Sequence, residues 1–201
     1  LGRCLGSGGY GVVHAGRLRS TDTRVAVKLL NVDINAQGTT LRRLKRELRN
    51  GMGLAHPNVC MTVGYAVVAG LPAVVLELAE SGALSALLHE DDERSRQVPQ
   101  WLLVRIVLEV ARGLEYLHAK DVMHRDLKPD NVVLDREWHA KICDFGISTR
   151  EKAHSTSEHS AQHGSYRYLA PEVVHGRYDM SADIYSYSML MHATLHRKVP
   201  F

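Results

Sequence analysis

The 201-residue chain holds only two Phe and two Trp. So few flat rings argue against a stacking platform for single-stranded nucleic acid. Its formal net charge of +3 is too small to mark a nucleic-acid surface. The three cysteines, Cys4, Cys60 and Cys143, are scattered and odd in number. That fits free thiols in a reducing, cytoplasmic setting better than a disulfide framework. The longest apolar stretch, residues 66–79, is interrupted by Pro72 and Glu77 and is too short to span a bilayer. No signal peptide, internal repeat or low-complexity segment is present. The chain begins at Leu1 and ends at Phe201 within apparent structure, so it reads as a piece of a longer protein.

Apolar residues make up 45%, enough for a real core. Residues 1–30 read as strands and turns: VVHAGRL and TRVAVKLL are β-branched or alternating, with STDT as the turn between them. Residues 39–50 read as a helix with Leu41, Leu44 and Leu48 on one face. Arg42, Arg43, Lys45, Arg46 and Arg49 crowd the rest of it, as a solvated basic face or a docking surface. HPN at 56–58 is a turn, and MTVGYAVV and LPAVVLEL add two strands, about five in all. After ESGAL the pattern changes to ALSALLHE, a short helix, and then to a long helix over 98–120 with Pro99 near its first turn. Its polar stripe of Arg105, Glu109 and Arg112 is narrow, which predicts burial around most of its circumference. A second buried helix starts at Ser181. The chain is β-rich first and α-rich second.

Two stretches carry chemistry. LGSGGYGVV places Gly6, Gly8 and Gly11 in a G-x-G-x-x-G pattern. Glycines let backbone N–H groups approach a phosphate closely. Alone this is weak: a plain turn has the same composition, and a dinucleotide fold has the same spacing, with Asp33 at a suitable distance. A strand, VVHAG, follows these glycines, where a dinucleotide fold has a helix. The second stretch, VMHRDLKPDNVVL at 122–134, packs His124, Arg125, Asp126, Lys128, Asp130 and Asn131 between two apolar flanks. An acid, a cation and an amide at fixed short offsets suit a reaction site better than a solubilising loop.

VAVK at 25–28, Glu47, HRDLKPDN at 124–131, DFG at 144–146 and APE at 170–172 complete an ordered set. In order and spacing the chain resembles a eukaryotic-type protein kinase domain along its whole length. The resemblance implies an α+β, bilobal fold. Residues 1–76 would form the small lobe, a five-stranded antiparallel sheet plus one helix; 77–82 the hinge; and 83–201 a mainly helical large lobe, incomplete at its C-terminal end. The implied function is transfer of the ATP γ-phosphate to Ser or Thr hydroxyls of protein substrates with Mg. HRDLKPDN, with Lys128 two residues after Asp126, resembles serine/threonine kinases; GSYRYLAPE and DIYSYSML look most like the tyrosine-kinase-like group, whose members mostly modify Ser or Thr.

The resemblance also implies roles. Leu5, Gly6, Ser7, Gly8, Gly9, Tyr10 and Gly11 would cover the triphosphate. Val13 and Ala26 would pack on the adenine from above and Val133 from below. Leu76 would sit at the back, with the backbone of Glu77 and Ala79 bonding the adenine edge. Lys28 would hold the α and β phosphates, oriented by Glu47. Asp144 and Asn131 would hold magnesium, Asp126 would accept the hydroxyl proton and Lys128 would steady the γ-phosphate. Cys143 is expected to be a buried, inert residue. The activation segment would run from Asp144 to Glu172, with Ser155, Thr156, Ser157 and Ser160 as candidate phosphate acceptors facing Arg125 and Arg43. Ala161 occupies the usual acceptor position and Ser165 replaces a bridging threonine. His154, His159 and His163 read as loop histidines rather than a zinc site.

Some positions depart from the family pattern. Gly51 falls where a bulky apolar side chain stacks on Phe145 and His124, unless Met52 fills the gap. Gly51 and Gly53 should weaken the preceding helix's end by up to about 1 kcal/mol each. Ser188 and Ala193 replace a glycine and an acid, and Asp183 matches an acid that supports the catalytic loop. A chain ending at KVPF would lack the helices that cover the one from Asp183 and the arginine that pairs with Glu172. The expected rival reading is a nucleotide-binding switch or scaffold with weak catalysis. The residues name no natural substrate and no oligomeric state.

Overall fold

The computed structural model describes residues 1–8, 11–30, 51–88, 97–144, 165–174 and 178–201. The anticipated helix at 39–50 with Glu47, and Gly9, Tyr10, Phe145, Gly146, the histidines at 154, 159 and 163, Ser155, Thr156, Ser157 and Ser160, lie outside them.

Five strands build the first sheet: β1 (Cys4–Gly8), β2 (Gly11–Arg17), β3 (Arg24–Leu30), β4 (Thr62–Val68) and β5 (Leu71–Glu77). All pairings are antiparallel, as the resemblance implies, and the strand order is β1-β2-β3-β5-β4. The register puts Lys28 opposite Val13 on one side and Val74 on the other, so its side chain emerges from a central strand. Val25, Val27, Ala73 and Val75 are buried together in a small-lobe core. Gly11 cannot carry a side chain: its φ is +145°, and a Cβ there would sit 1.9 Å from the Leu29 carbonyl oxygen.

The remainder is mainly helical, with a second sheet of three short strands, β6 (Gly82–Ala83), β7 (Val132–Leu134) and β8 (Ala140–Ile142). A short helix runs Leu84–Leu87, a long one Gln100–Ala119 and another Met180–His196. Pro99 is the N-cap of the long helix, next to its first turn as expected. Leu102, Leu103, Ile106, Val110, Leu114 and Leu117 recur at helical spacing and bury into the main core with Leu134, Ile142 and Leu190. The expected polar stripe is corrected here: Glu109 is only 6% exposed, while Trp101, Val104 and Leu108 face solvent. The Met180–His196 helix, expected from Ser181 as a buried one, is likewise less buried, since Ile184 and Met191 are exposed. Asp179 caps it, accepting from Ser181 N at 2.7 Å, and Arg197 ends it in a left-handed conformation with φ 54°.

One close approach ties the His-Pro-Asn turn to this core. A Cβ on Gly113 would lie 2.5 Å from the Asn58 carbonyl oxygen and 3.1 Å from Ile142 Cδ1. Asn58 in turn donates from Nδ2 to the Ala140 carbonyl (2.9 Å), and its own carbonyl accepts from Ile142 N (2.9 Å). His56 stacks on Tyr116 at 4.9 Å, and Ala55 N donates to the Tyr116 hydroxyl. Gly113→Ala would gain up to about 1 kcal/mol of helix propensity. It would lose more, about 1–3 kcal/mol, by pushing a bonded carbonyl out of place. The denaturant midpoint of Gly113→Ala is therefore expected to fall; an unchanged or raised midpoint would show that the turn yields freely.

Candidate active site

β1, β2 and β3 form one wall of a cleft of about 420 Å³; the 77–83 connection, Asp130, Asn131, Val133 and the two residues after β8 form the other. Leu5, Gly6, Val13, Ala26, Lys28, Leu76, Glu77, Ala79, Asn131, Val133 and Asp144 all line it. Ser7, Gly8 and Gly11 lie on the same hairpin, outside the cleft wall. The volume and the apolar walls suit a drug-sized organic ligand.

At the inner end Lys28 is 5% exposed, and its Nζ donates to Asp144 Oδ1 at 2.6 Å. The bond joins the sheet to the residue two past β8, 116 positions along the chain. The expected partnership of Lys28 with Glu47 falls outside the described residues. Asp144 has φ 67°, a left-handed conformation uncommon outside glycine and a feature of constrained sites.

The 124–131 loop is knit by its own side chains. Lys128 Nζ donates to both Asp126 oxygens, at 3.0 and 2.9 Å. Asn131 Nδ2 donates to Asp126 Oδ2 at 2.9 Å and to the Asp126 carbonyl at 2.7 Å. Cys143 N donates to the Asn131 carbonyl, and the Cys143 carbonyl bonds His124 Nε2, both at 2.9 Å. An acid, a cation and an amide thus meet at one carboxylate, next to the strand end that carries Asp144. Of the loop's two apolar flanks, only the later one is a named strand, β7. Val122 and Met123 are buried just after a turn at Asp121 (φ 57°), and Met123 forms a single β-bridge rather than a named strand.

Asp183 sits under this loop with 0% exposure. It accepts from His124 N and Arg125 N at 2.8 Å, from the Tyr178 hydroxyl at 2.9 Å, and pairs with His118 Nε2 at 2.9 Å. Burial alone pushes its carboxyl upward, but the His118 bond, the His124 charge and the two backbone donors outweigh it and hold the carboxyl below the usual range. Burial and the same carboxylate push the Tyr178 phenol well up. Arg125 stacks on Tyr178, 5.0 Å from the ring centre.

Sequence reasoning missed part of the cleft's frame. Glu77 is more than a backbone contact: its carboxylate accepts from Met61 N at 2.7 Å and pairs with Lys141 of β8 at 3.1 Å, while Lys141 also donates to the Pro57 carbonyl. No local signal links residues 64 positions apart. Cys143 lines the cleft and is half-buried, a correction to the expected buried residue. Cys4 and Cys60 line the cleft too. Burial, with Glu77 nearby, pushes the Cys60 thiol up to about 12, so it stays protonated. Gly51 is buried and helical, and Met52, the residue expected to fill in for it, is 51% exposed. Ser165 opens a 3-10 turn, Ser165–Tyr168.

Comparison with known proteins agrees with this geometry. The protein kinase domain family matches residues 1–201. The chain is 34% identical over 201 residues to dual specificity protein kinase shkC of Dictyostelium discoideum, covering 98% of this chain and 38% of that protein. It is 35% identical over 204 residues to receptor-interacting serine/threonine-protein kinase 3 of Rattus norvegicus, covering 95% and 40%. It is 33% identical over 204 residues to the probable serine/threonine-protein kinase drkD of Dictyostelium discoideum, covering 100% and 15%. The chain therefore spans less than half the length of these relatives.

Proposed function

The chain belongs to the protein kinase domain family, and from that premise we propose that it transfers the γ-phosphate of ATP to Ser or Thr hydroxyls of proteins in the cytoplasm. The observation that carries this reading is the joint bonding of Asp126 by Lys128 and Asn131, beside a cleft whose inner end holds the Lys28–Asp144 pair. Val13, Ala26 and Val133 supply apolar faces for a base, and the Glu77–Ala79 backbone its edge contacts. Lys28 takes the α and β phosphates. The acceptor oxygen bonds to the γ-phosphorus as the bond to the β,γ-bridging oxygen breaks. The hydroxyl proton passes to Asp126, ADP leaves and Lys128 balances charge on the moving group.

The donor set fits magnesium. Asp144 and Asn131 offer few hard oxygens, as suits an ion that keeps its waters and uses phosphate oxygens. When bound, magnesium supplies neutralisation of phosphate charge. Among the described residues no group of three or more His, Cys, Asp or Glu side chains is placed to hold a metal, and no helix is long and apolar enough to cross a membrane. The test is transfer of labelled phosphate from magnesium-ATP to a generic protein substrate, scored separately on Ser, Thr and Tyr because one relative is named a dual-specificity kinase. No transfer to any hydroxyl would overturn the reading.

One observation favours a weaker catalyst. Gly51 is buried yet has no side chain to pack with, and Met52 is half exposed. Gly51→Leu is expected to raise basal transfer several-fold. No change or a loss would remove this account of the glycine.

A further inference from the structure

We propose that Glu109, outside the cleft on the long helix, is a positioning residue for Asp144 and so sets the response of nucleotide binding to magnesium; this rests on the reading of Asp144 as a magnesium holder. The route is the backbone of β8. Ala140, its first residue, is fully buried and gripped at both polar atoms. Its N–H donates to Glu109 Oε2 at 2.7 Å, and its carbonyl accepts from Asn58 Nδ2 at 2.9 Å. The other Glu109 oxygen accepts from His139 Nδ1 at 2.7 Å, with Arg105 Nε 3.8 Å away. Arg105 also donates to the Glu137 and Trp138 carbonyls, both at 3.0 Å, so one turn of the long helix holds the whole approach to β8.

The strand passes this restraint on. Ile142 N bonds the Asn58 carbonyl, its carbonyl accepts from Cys60 N at 2.8 Å, and Cys143 N bonds the Asn131 carbonyl. Between Ala140 and Asp144 the backbone therefore has little room to slide. Burying a carboxylate in an apolar helix face is costly unless its oxygens are bonded, and a leucine at 109 would serve packing alone. The carboxylate adds an acceptor that fixes where β8 begins. Groups that orient a metal-holding side chain typically matter roughly ten- to a hundred-fold for metal affinity.

The test measures ATP affinity by calorimetry with and without magnesium. Glu109→Met removes the acceptor at similar size; Glu109→Gln keeps one for Ala140 N. In the unsubstituted chain magnesium should tighten ATP binding, and Asp144→Asn should erase that gain. Glu109→Met should lose roughly ten-fold of the gain with magnesium-free affinity unchanged, and Glu109→Gln should restore it. Equal losses with and without magnesium, or full retention of the gain in Glu109→Met, would overturn the proposal while leaving Asp144 in place. A gain that survives Asp144→Asn would sink both. If Glu109→Met fails to fold, amide exchange in the unsubstituted chain decides: magnesium-ATP should slow Ala140 together with Ile142, and an unmoved Ala140 overturns the idea.

Discussion

Asp126→Asn is expected to abolish phosphate transfer while ATP continues to bind. The amide has the shape of the carboxylate but cannot take a proton from the acceptor hydroxyl. Proton transfer by a placed base is worth roughly 10²–10⁴-fold in rate, so the residual activity should fall by about that factor. Binding should persist because Asp126 is not part of the cleft wall, whereas Lys28, Leu76 and Val133 are. Lys128 loses its ion pair and keeps an oxygen acceptor; Asn131 keeps its bond to the residue-126 carbonyl at 2.7 Å. Initial rates with labelled ATP, beside a binding isotherm for the same variant, give both readings. A rate within ten-fold of the unsubstituted chain would assign the base elsewhere.

The residues that carry this prediction were legible because they are local. Asp126, Lys128 and Asn131 fall within six positions, and their offsets encode a loop folded on itself. Strand periodicity likewise placed β2, β3, β4 and β5, since alternation or a β-branched run is a property of neighbours. What stayed hidden depends on partners distant in the chain. Glu109 looked like part of a solvent stripe because its type is polar; its acceptor role is set by His139 and Ala140, about 30 positions later. Trp101, apolar by type, is exposed, with the Arg105 guanidinium 5.7 Å from its ring centre. Glu77 read as hinge backbone, and only the fold brings Lys141 to its carboxylate. Gly113 carries no signal at all; its reason is the Asn58 carbonyl, which a helix pattern cannot reveal.

Asp183→Leu is expected to cause the largest loss of stability. The carboxylate accepts from His124 N, Arg125 N and the Tyr178 hydroxyl, and pairs with His118, at a site with no exposure. Leucine offers none of these acceptors, and each buried donor that loses one costs about 1–3 kcal/mol. With partial relaxation the total should be about 3–5 kcal/mol, the range for breaking a buried charged network. Asp183→Asn, which keeps one oxygen, should cost less. The two backbone donors flank the turn into Asp126, and Arg125 sits there at φ 70°, so activity should fall along with the melting temperature. The pH dependence has a definite sign. Because the folded carboxyl is held below its ordinary range, its contribution is complete above that range and is lost as pH falls through the folded value. The stability gap between the unsubstituted chain and Asp183→Leu should therefore narrow on acidification. A gap that stays constant or widens at low pH would mean that the charge on Asp183 does not hold the loop, and that packing alone accounts for its burial.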